Sequence, residues 1–155
     1  MSSRDVLDLD VTSDVAELPG VRDAVRAWSR ALGWSEGPTA DIVLAIDEAL
    51  SNIIRHGYEG EPGHKIELTA RAVHDPSQGE GIEVRVRDYG KQVPLETICG
   101  RDLNDIRPGG LGVHIIRSVM SSVEYSHAEG GGMQLVMRKY RRPEADLKDP
   151  QARKP

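Results

Sequence analysis

The 155-residue chain contains no phenylalanine, and aromatic residues make up only 4% of it. Aliphatic side chains must therefore build the core. A stacking platform for single-stranded nucleic acid, which needs several aromatics, is excluded. Cys99 stands alone, so neither an internal disulfide nor a cysteine-based metal cluster can form, and the usage fits a reducing compartment. We read Cys99 as incidental rather than nucleophilic. No stretch approaches the ~20 apolar residues of a membrane span. The N-terminus, acidic from Asp5 to Asp10, lacks the apolar centre of a signal peptide, so a cytoplasmic location is expected. An excess of positive charge is missing too. Lys and Arg number 20 against 25 Asp and Glu, for a net charge of −5, which gives no electrostatic case for nucleic-acid binding across the surface.

What remains is 38% hydrophobic and 29% charged, the balance of a soluble globular chain. The length suits one domain, since domains run to about 100–200 residues. We assign residues 1–141 to it and read 142–155 as a flexible polar tail.

Residues 6–11 alternate, with Leu7, Leu9 and Val11 on one face and Asp8 and Asp10 on the other, as in a half-buried strand. Ser13 or Asp14 can cap a helix carrying Leu18, Val21, Val25, Trp28 and Leu32, with Pro19 in its first turn and Gly33 at its end. A second helix opens at Pro38 and Thr39 and keeps helical period to Gly57. Strands follow over 65–72, with Ile66, Leu68, Ala70 and Ala72 in phase, and from Ile82, with Val84 and Val86 in phase. An irregular stretch, 89–108, is long enough to be a functional lid. It gives way to Gly109, Gly110, Leu111 and Gly112 at the head of a third helix, then to strands 123–127 and 133–140. This order predicts an α+β fold: a two-layer sandwich, with a mostly antiparallel mixed sheet and helices on one face.

Glu48 and Asn52, four residues apart, share a helix face. By spacing alone the pair reads first as a solvated helix edge, and second as a proton acceptor beside an oxygen ligand for Mg2+. Asp88 continues the buried phase of Ile82, Val84 and Val86, so it points at the helix layer, where a carboxylate needs a partner. It suits either a strand-end turn cap or an acceptor for an exocyclic amine. Gly90, next in that phase, leaves room for a close approach. Gly109, Gly110 and Gly112 open a helix whose N-terminus favours an anion such as phosphate. His56 and His114 read as structural, and the basic run 138–142 as a solvated strand end or a contact for an acidic partner.

In this order, DEALSNIIRHGY (47–58), RDYG (87–90) and GGLGVHII (109–116) resemble the N, G1 and G2 boxes of the GHKL, or Bergerat-fold, ATPases. Within them the chain is similar to the anti-sigma-factor serine/threonine kinases of the RsbW/SpoIIAB type, over roughly residues 5–140. The resemblance implies ATP and Mg2+ as cofactors. Asn52 would then ligand Mg2+ and Glu48 act as general base. Asp88 would accept from the adenine amine with Gly90 beside the ring, and Gly109, Gly110, Leu111 and Gly112 would line the phosphates below a lid over 91–108. Arg107 would be the basic residue near the lid's end. Two places depart from the family pattern: Gln92 stands where a second glycine is usual, and Gln134 and Val136 occupy the region where many members carry an adenine-contacting threonine.

The resemblance further implies a kinase that phosphorylates a STAS-type anti-anti-sigma protein and sequesters a sigma factor, as a symmetric homodimer with no direct nucleic-acid or membrane contact. Trp28, Trp34 and the first strand are the candidate dimer contacts. An ATP-gated binding module without efficient phosphotransfer is the alternative, and a histidine-kinase ATPase domain a third reading. Glu48 favours the first, because a pure binding module needs no base beside Asn52.

Overall fold

The structure, a computed structural model, describes residues 3–96 and 110–141. The alternating N-terminal segment becomes β1 (Val6–Thr12), with Val11 buried and both aspartates exposed. Ser13 does not cap the next helix. Its hydroxyl donates to the Glu61 carbonyl at 2.6 Å and accepts the His64 N–H at 2.9 Å, stapling the end of β1 to a distant loop. Asp14 does the capping, accepting the Ala16 N–H at 2.9 Å above a short 3-10 turn. Then α1 (Leu18–Ala31) carries Pro19 in its first turn, where the missing N–H has no helical partner to lose. Gly33, at φ +90°, closes the helix.

The second helix, α2 (Glu36–Asn52), begins two residues before the expected Pro38, behind Ser35 as N-cap. As third residue Pro38 is harmless, because the first four helical N–H groups lack intrahelical acceptors. Beyond Asn52 the helix widens into a π turn, Ile53–Gly57, and the Tyr58 N–H closes on the Ile53 carbonyl at 3.0 Å.

β2 (Lys65–Asp75) runs three residues past its expected end, because Asp75 itself holds the hairpin turn by accepting the N–H groups of Ser77 and Gln78. β3 (Gly79–Asp88) returns beside it. After the undescribed stretch come α3 (Gly110–Val119), β4 (Ser122–His127) and β5 (Met133–Tyr140). The strand order is β1-β2-β3-β5-β4, and every described neighbour pair is antiparallel. The α+β fold class read from the sequence is the one the chain adopts.

Register decides what faces the helices. Val84 pairs with Ala70 and Met137, and Val86 with Leu68 and Leu135, so these positions stack in columns beneath Ile42, Ile46 and Leu50 of α2. Each such aliphatic side chain contributes about 1.5–3 kcal/mol on burial. Trp28 and Trp34 are 9% and 4% exposed and belong to this core, which removes them as dimer contacts. Trp28 Nε1 donates to the Arg4 carbonyl, and the Arg141 guanidinium lies over the Trp34 ring.

On the far face, Glu83 is 4% exposed although no described helix covers it. It is ringed by Arg71, Arg85 and Arg138 at 2.9–3.0 Å. The basic run is likewise consumed internally. Arg138 serves Glu83, Lys139 pairs with Asp41 at 3.3 Å, and Arg141 donates to the Leu32 carbonyl at 2.9 Å. Arg142 and the rest of the polar tail lie outside the described residues. Among the described residues no helix is long and apolar enough to cross a membrane.

Candidate functional site

Three elements converge where α2 ends: its π turn, the end of β3 and the start of β5. Glu48 and Asn52 sit half-buried on the last two turns of α2. Both polar atoms of the Asn52 side chain are buried and make no hydrogen bond among the described residues. Leaving such a group unsatisfied costs about 1–3 kcal/mol, so a fold retains it where a ligand satisfies it. The π turn that follows matters locally, since such bulges recur at functional sites, where they re-aim the helix end.

Asp88 ends β3 on the helix-facing side and is 2% exposed. Its Oδ1 accepts the backbone N–H groups of Gly90 at 2.9 Å and Met133 at 3.2 Å, while Oδ2 makes no hydrogen bond among the described residues. Burial pushes the carboxyl pKa above its ordinary value, against the two N–H groups that favour the anion. The strand-end cap is the reading of Asp88 seen directly. One oxygen caps the strand-end turn, and the other has no hydrogen-bond partner among the described residues.

Gly90 does have a close neighbour, and it belongs to the chain. A Cβ there would overlap the Gly57 carbonyl oxygen and lie 2.8 Å from its carbon. The Gly57 carbonyl also accepts the Lys91 N–H at 2.9 Å, and a Cβ on Gly57 would lie 3.8 Å from Asp88 Oδ1. The end of α2 and the end of β3 are thus one joint. Tyr58 pins it, donating its hydroxyl to the Lys65 carbonyl at 2.6 Å and accepting the Tyr89 N–H at 2.7 Å.

A second joint escapes sequence reasoning. Gly132, at φ +78°, nests so tightly on Asp88 that a Cβ would overlap the Asp88 carbonyl. Arg87 donates to the carbonyls of Glu129 and Gly131 at 2.9 and 3.0 Å. Gln92 donates to those of Ala128 and Gly132 at 3.2 and 3.0 Å, so the residue in place of a usual glycine fastens the segment after β3 to the β4–β5 turn. His127 Nε2 donates to the Val93 carbonyl at 2.7 Å. Only the glycine run 130–132 signalled a turn, and nothing local to it shows what it nests against.

Gln134 and Val136, in the strand region where many family members carry a threonine, face away from Asp88. Gln134 pairs with Arg87, so it points to the open sheet face, and Val136 follows it. Met133 and Leu135 are the β5 residues on the side of Asp88, and both are buried.

Gly110 opens α3, and Leu111 and Gly112 lie in its first turn. α3 packs against α2, with Ile116 fully buried in the shared core. The first N–H groups of a helix lack intrahelical acceptors, and such a terminus favours an anion. Gly109, Arg107, Cys99 and most of the expected lid lie outside the described residues.

Among the described residues no group of three His, Cys, Asp or Glu side chains could hold a metal ion. Mg2+ does not need one, because it keeps waters and takes phosphate oxygens with one or two protein ligands. The unpaired Asn52 carboxamide oxygen fits that donor set.

Comparison with known proteins bears on the same segments. The sequence pattern of the histidine kinase-like ATPase domain matches residues 11–139. The serine-protein kinase RsbW of Listeria innocua is 33% identical over 116 residues, covering 70% of this chain and 69% of that protein. The serine/threonine-protein kinase BtrW of Bordetella bronchiseptica is 30% identical over 141 residues, covering 84% and 90%. Among solved structures, the RsbU and RsbW domains of a Mycobacterium tuberculosis protein superpose with a TM-score of 0.60 at 21% identity. That likeness concerns the fold, and it covers 89% of this chain but 33% of the solved one. The chain therefore belongs to the histidine kinase-like ATPase family and, within it, to the RsbW-type protein kinases.

Proposed function

We propose that the chain binds Mg2+ and ATP at the junction of α2, β3 and α3 and transfers the γ-phosphate to a serine or threonine of a partner protein. The observation that carries this is the orphaned Asn52 carboxamide, one turn beyond Glu48 and one π turn before the joint that holds Asp88. Asp88 Oδ2 accepts from the adenine amine. The N–H groups heading α3, with Gly109, Gly110, Leu111 and Gly112, receive phosphate oxygens. Arg107 adds positive charge near the transferred group. Mg2+ held by Asn52 would neutralise phosphate charge during transfer. Glu48 takes the proton from the attacking hydroxyl, a role typically worth about 10²–10⁴ in rate. The remaining catalysis is positioning.

On the resemblance to the anti-sigma-factor kinases, the substrate is a small STAS-type anti-anti-sigma protein, and a sigma factor is held when that substrate is unavailable. The enzyme acts in the cytoplasm as a homodimer. Residues 1–141 form its one domain and 142–155 a polar extension. Incubation with labelled ATP, Mg2+ and a candidate STAS protein tests this. Label should appear on the partner and vanish when its acceptor Ser or Thr is replaced by Ala. ATP-dependent partner binding without any label would favour the non-catalytic switch instead.

A further inference from the structure

Asp88 Oδ1 accepts two N–H groups of different origin. The Gly90 N–H comes from the same turn and moves with it. The torsion that sets a carboxylate plane is broad, so this local bond does not fix the direction of Oδ2. The Met133 N–H, at 3.2 Å, reaches in from β5 and supplies a second point. It is a backbone donor because the side chains that β5 turns to this side, Met133 and Leu135, are apolar.

What orients the Met133 N–H is the far end of its own peptide unit. The Gly132 carbonyl and the Met133 N–H belong to one planar group, so fixing the oxygen fixes the donor. That oxygen accepts the Ala128 N–H at 3.0 Å within the turn and Gln92 Nε2 at 3.0 Å from outside it. The same Nε2 donates to the Ala128 carbonyl at 3.2 Å and so closes the neck of the turn. His127 Nε2, on the Val93 carbonyl at 2.7 Å, holds the backbone just beyond Gln92. A donor on a carbonyl also polarises the amide, which strengthens the next hydrogen bond in the chain by about 10–30%. A continuous line thus runs from the Gln92 amide through the Gly132–Met133 peptide to Asp88 Oδ1.

We infer that Gln92 is a positioning residue for base selection: through the Gly132–Met133 peptide it holds the Asp88 carboxylate in the orientation that favours a purine bearing a 6-amino group. The inference rests on the nucleotide site proposed above, in which Oδ2 meets the adenine amine. Gln92 does not touch the base itself. It acts through β5, from the position after the Asp88–Gly90 turn. The residue is exposed, so replacing it removes hydrogen bonds without opening the core.

The test titrates the full chain, with Mg2+, against ATP and against purine riboside triphosphate, which lacks only the 6-amino group. Wild type should prefer ATP. Gln92→Met keeps the length of the side chain and removes its donor. It should weaken ATP by roughly 3- to 10-fold, the range of a neutral hydrogen bond, and leave purine riboside triphosphate within about twofold. In the nucleotide-free variant the Met133 amide proton should move upfield as its hydrogen bond weakens. Gln92→Lys, which returns an N–H donor to the same carbonyls, should restore most of the preference. A purely structural role would weaken both nucleotides together. That result, a preference that survives Gln92→Met, or an unmoved Met133 resonance would overturn the inference while the proposed site stands. A wild type that binds the two nucleotides equally would overturn the adenine contact and the inference with it.

Discussion

The backbone N–H of Met133 donates to Oδ1 of Asp88 at 3.2 Å, tying the first residue of β5 to the last residue of β3. With the Gly90 N–H on the same oxygen, the carboxylate is held from two strand ends, and Oδ2 has no hydrogen-bond partner among the described residues. The price is a buried anion.

That cost makes Asp88→Asn informative in two directions. Loss of a charge-assisted hydrogen bond worth ~1.5–3 kcal/mol should weaken ATP binding about 10- to 150-fold. Yet the nucleotide-free variant should melt higher than wild type at neutral pH. A carboxyl whose folded pKa is raised binds more protons folded than unfolded, so its penalty grows as pH rises through that window and is absent in acid. The melting advantage should therefore shrink as pH falls through the folded pKa toward the ordinary aspartate range, and be gone below it. Nucleotide titration and paired melting curves check both.

Glu83 should behave with the opposite sign. Burial raises its pKa, but hydrogen bonds from Arg85 and Arg138 and the charge of Arg71 outweigh that and hold it below the ordinary value. Its contribution to stability is thus present at neutral pH and lost as pH falls through the folded pKa. Glu83→Gln should destabilise by about 1–3 kcal/mol in denaturant at neutral pH, with the deficit fading in acid and nucleotide affinity unchanged.

Asn52 is expected to trade stability for metal. Asn52→Ala should lose Mg2+-dependent nucleotide binding more than metal-free binding. Asn52→Leu, which removes two buried unpaired polar atoms, should raise the melting temperature of the nucleotide-free protein while losing the Mg2+ effect. Equal losses with and without Mg2+ would make Asn52 purely structural.

Gly132→Ala tests the turn behind the site. Positive φ and the overlap with the Asp88 carbonyl should cost about 1–3 kcal/mol. Nucleotide affinity should fall with it, because the strand end carrying the carboxylate must shift. A variant that loses stability but binds ATP normally would show that the turn does not position Asp88.

Local pattern carried much of this to the reader of the sequence. Asp88 continues a period-two phase, so its burial follows from Ile82, Val84 and Val86. The need for Gly90 was visible as well. What approaches it was not, because Gly57 lies more than thirty residues earlier, and only the fold brings the π turn onto the strand end. Gln134 and Val136 were noted only as occupying the region of the family's usual threonine; register, which sequence alone does not supply, turns them to the other face. Gln92, Arg87 and His127 were missed for a similar reason. Their acceptors are backbone carbonyls across a hairpin, and carbonyls leave no mark in composition. The tryptophans looked like interface residues at a helix end, but a chain without phenylalanine uses them in its core.

Glu48→Gln tests the proposed chemistry most directly. The change is nearly isosteric, so α2 and Asn52 should stay in place and ATP, Mg2+ and partner should still bind. Single-turnover phosphorylation of the cognate partner, with ATP well above its dissociation constant, isolates the proton acceptor from binding. Transfer slowed by about 10²–10⁴ is the result expected of a general base. Transfer within about threefold of wild type, an effect below ~0.7 kcal/mol, would contradict a base at Glu48.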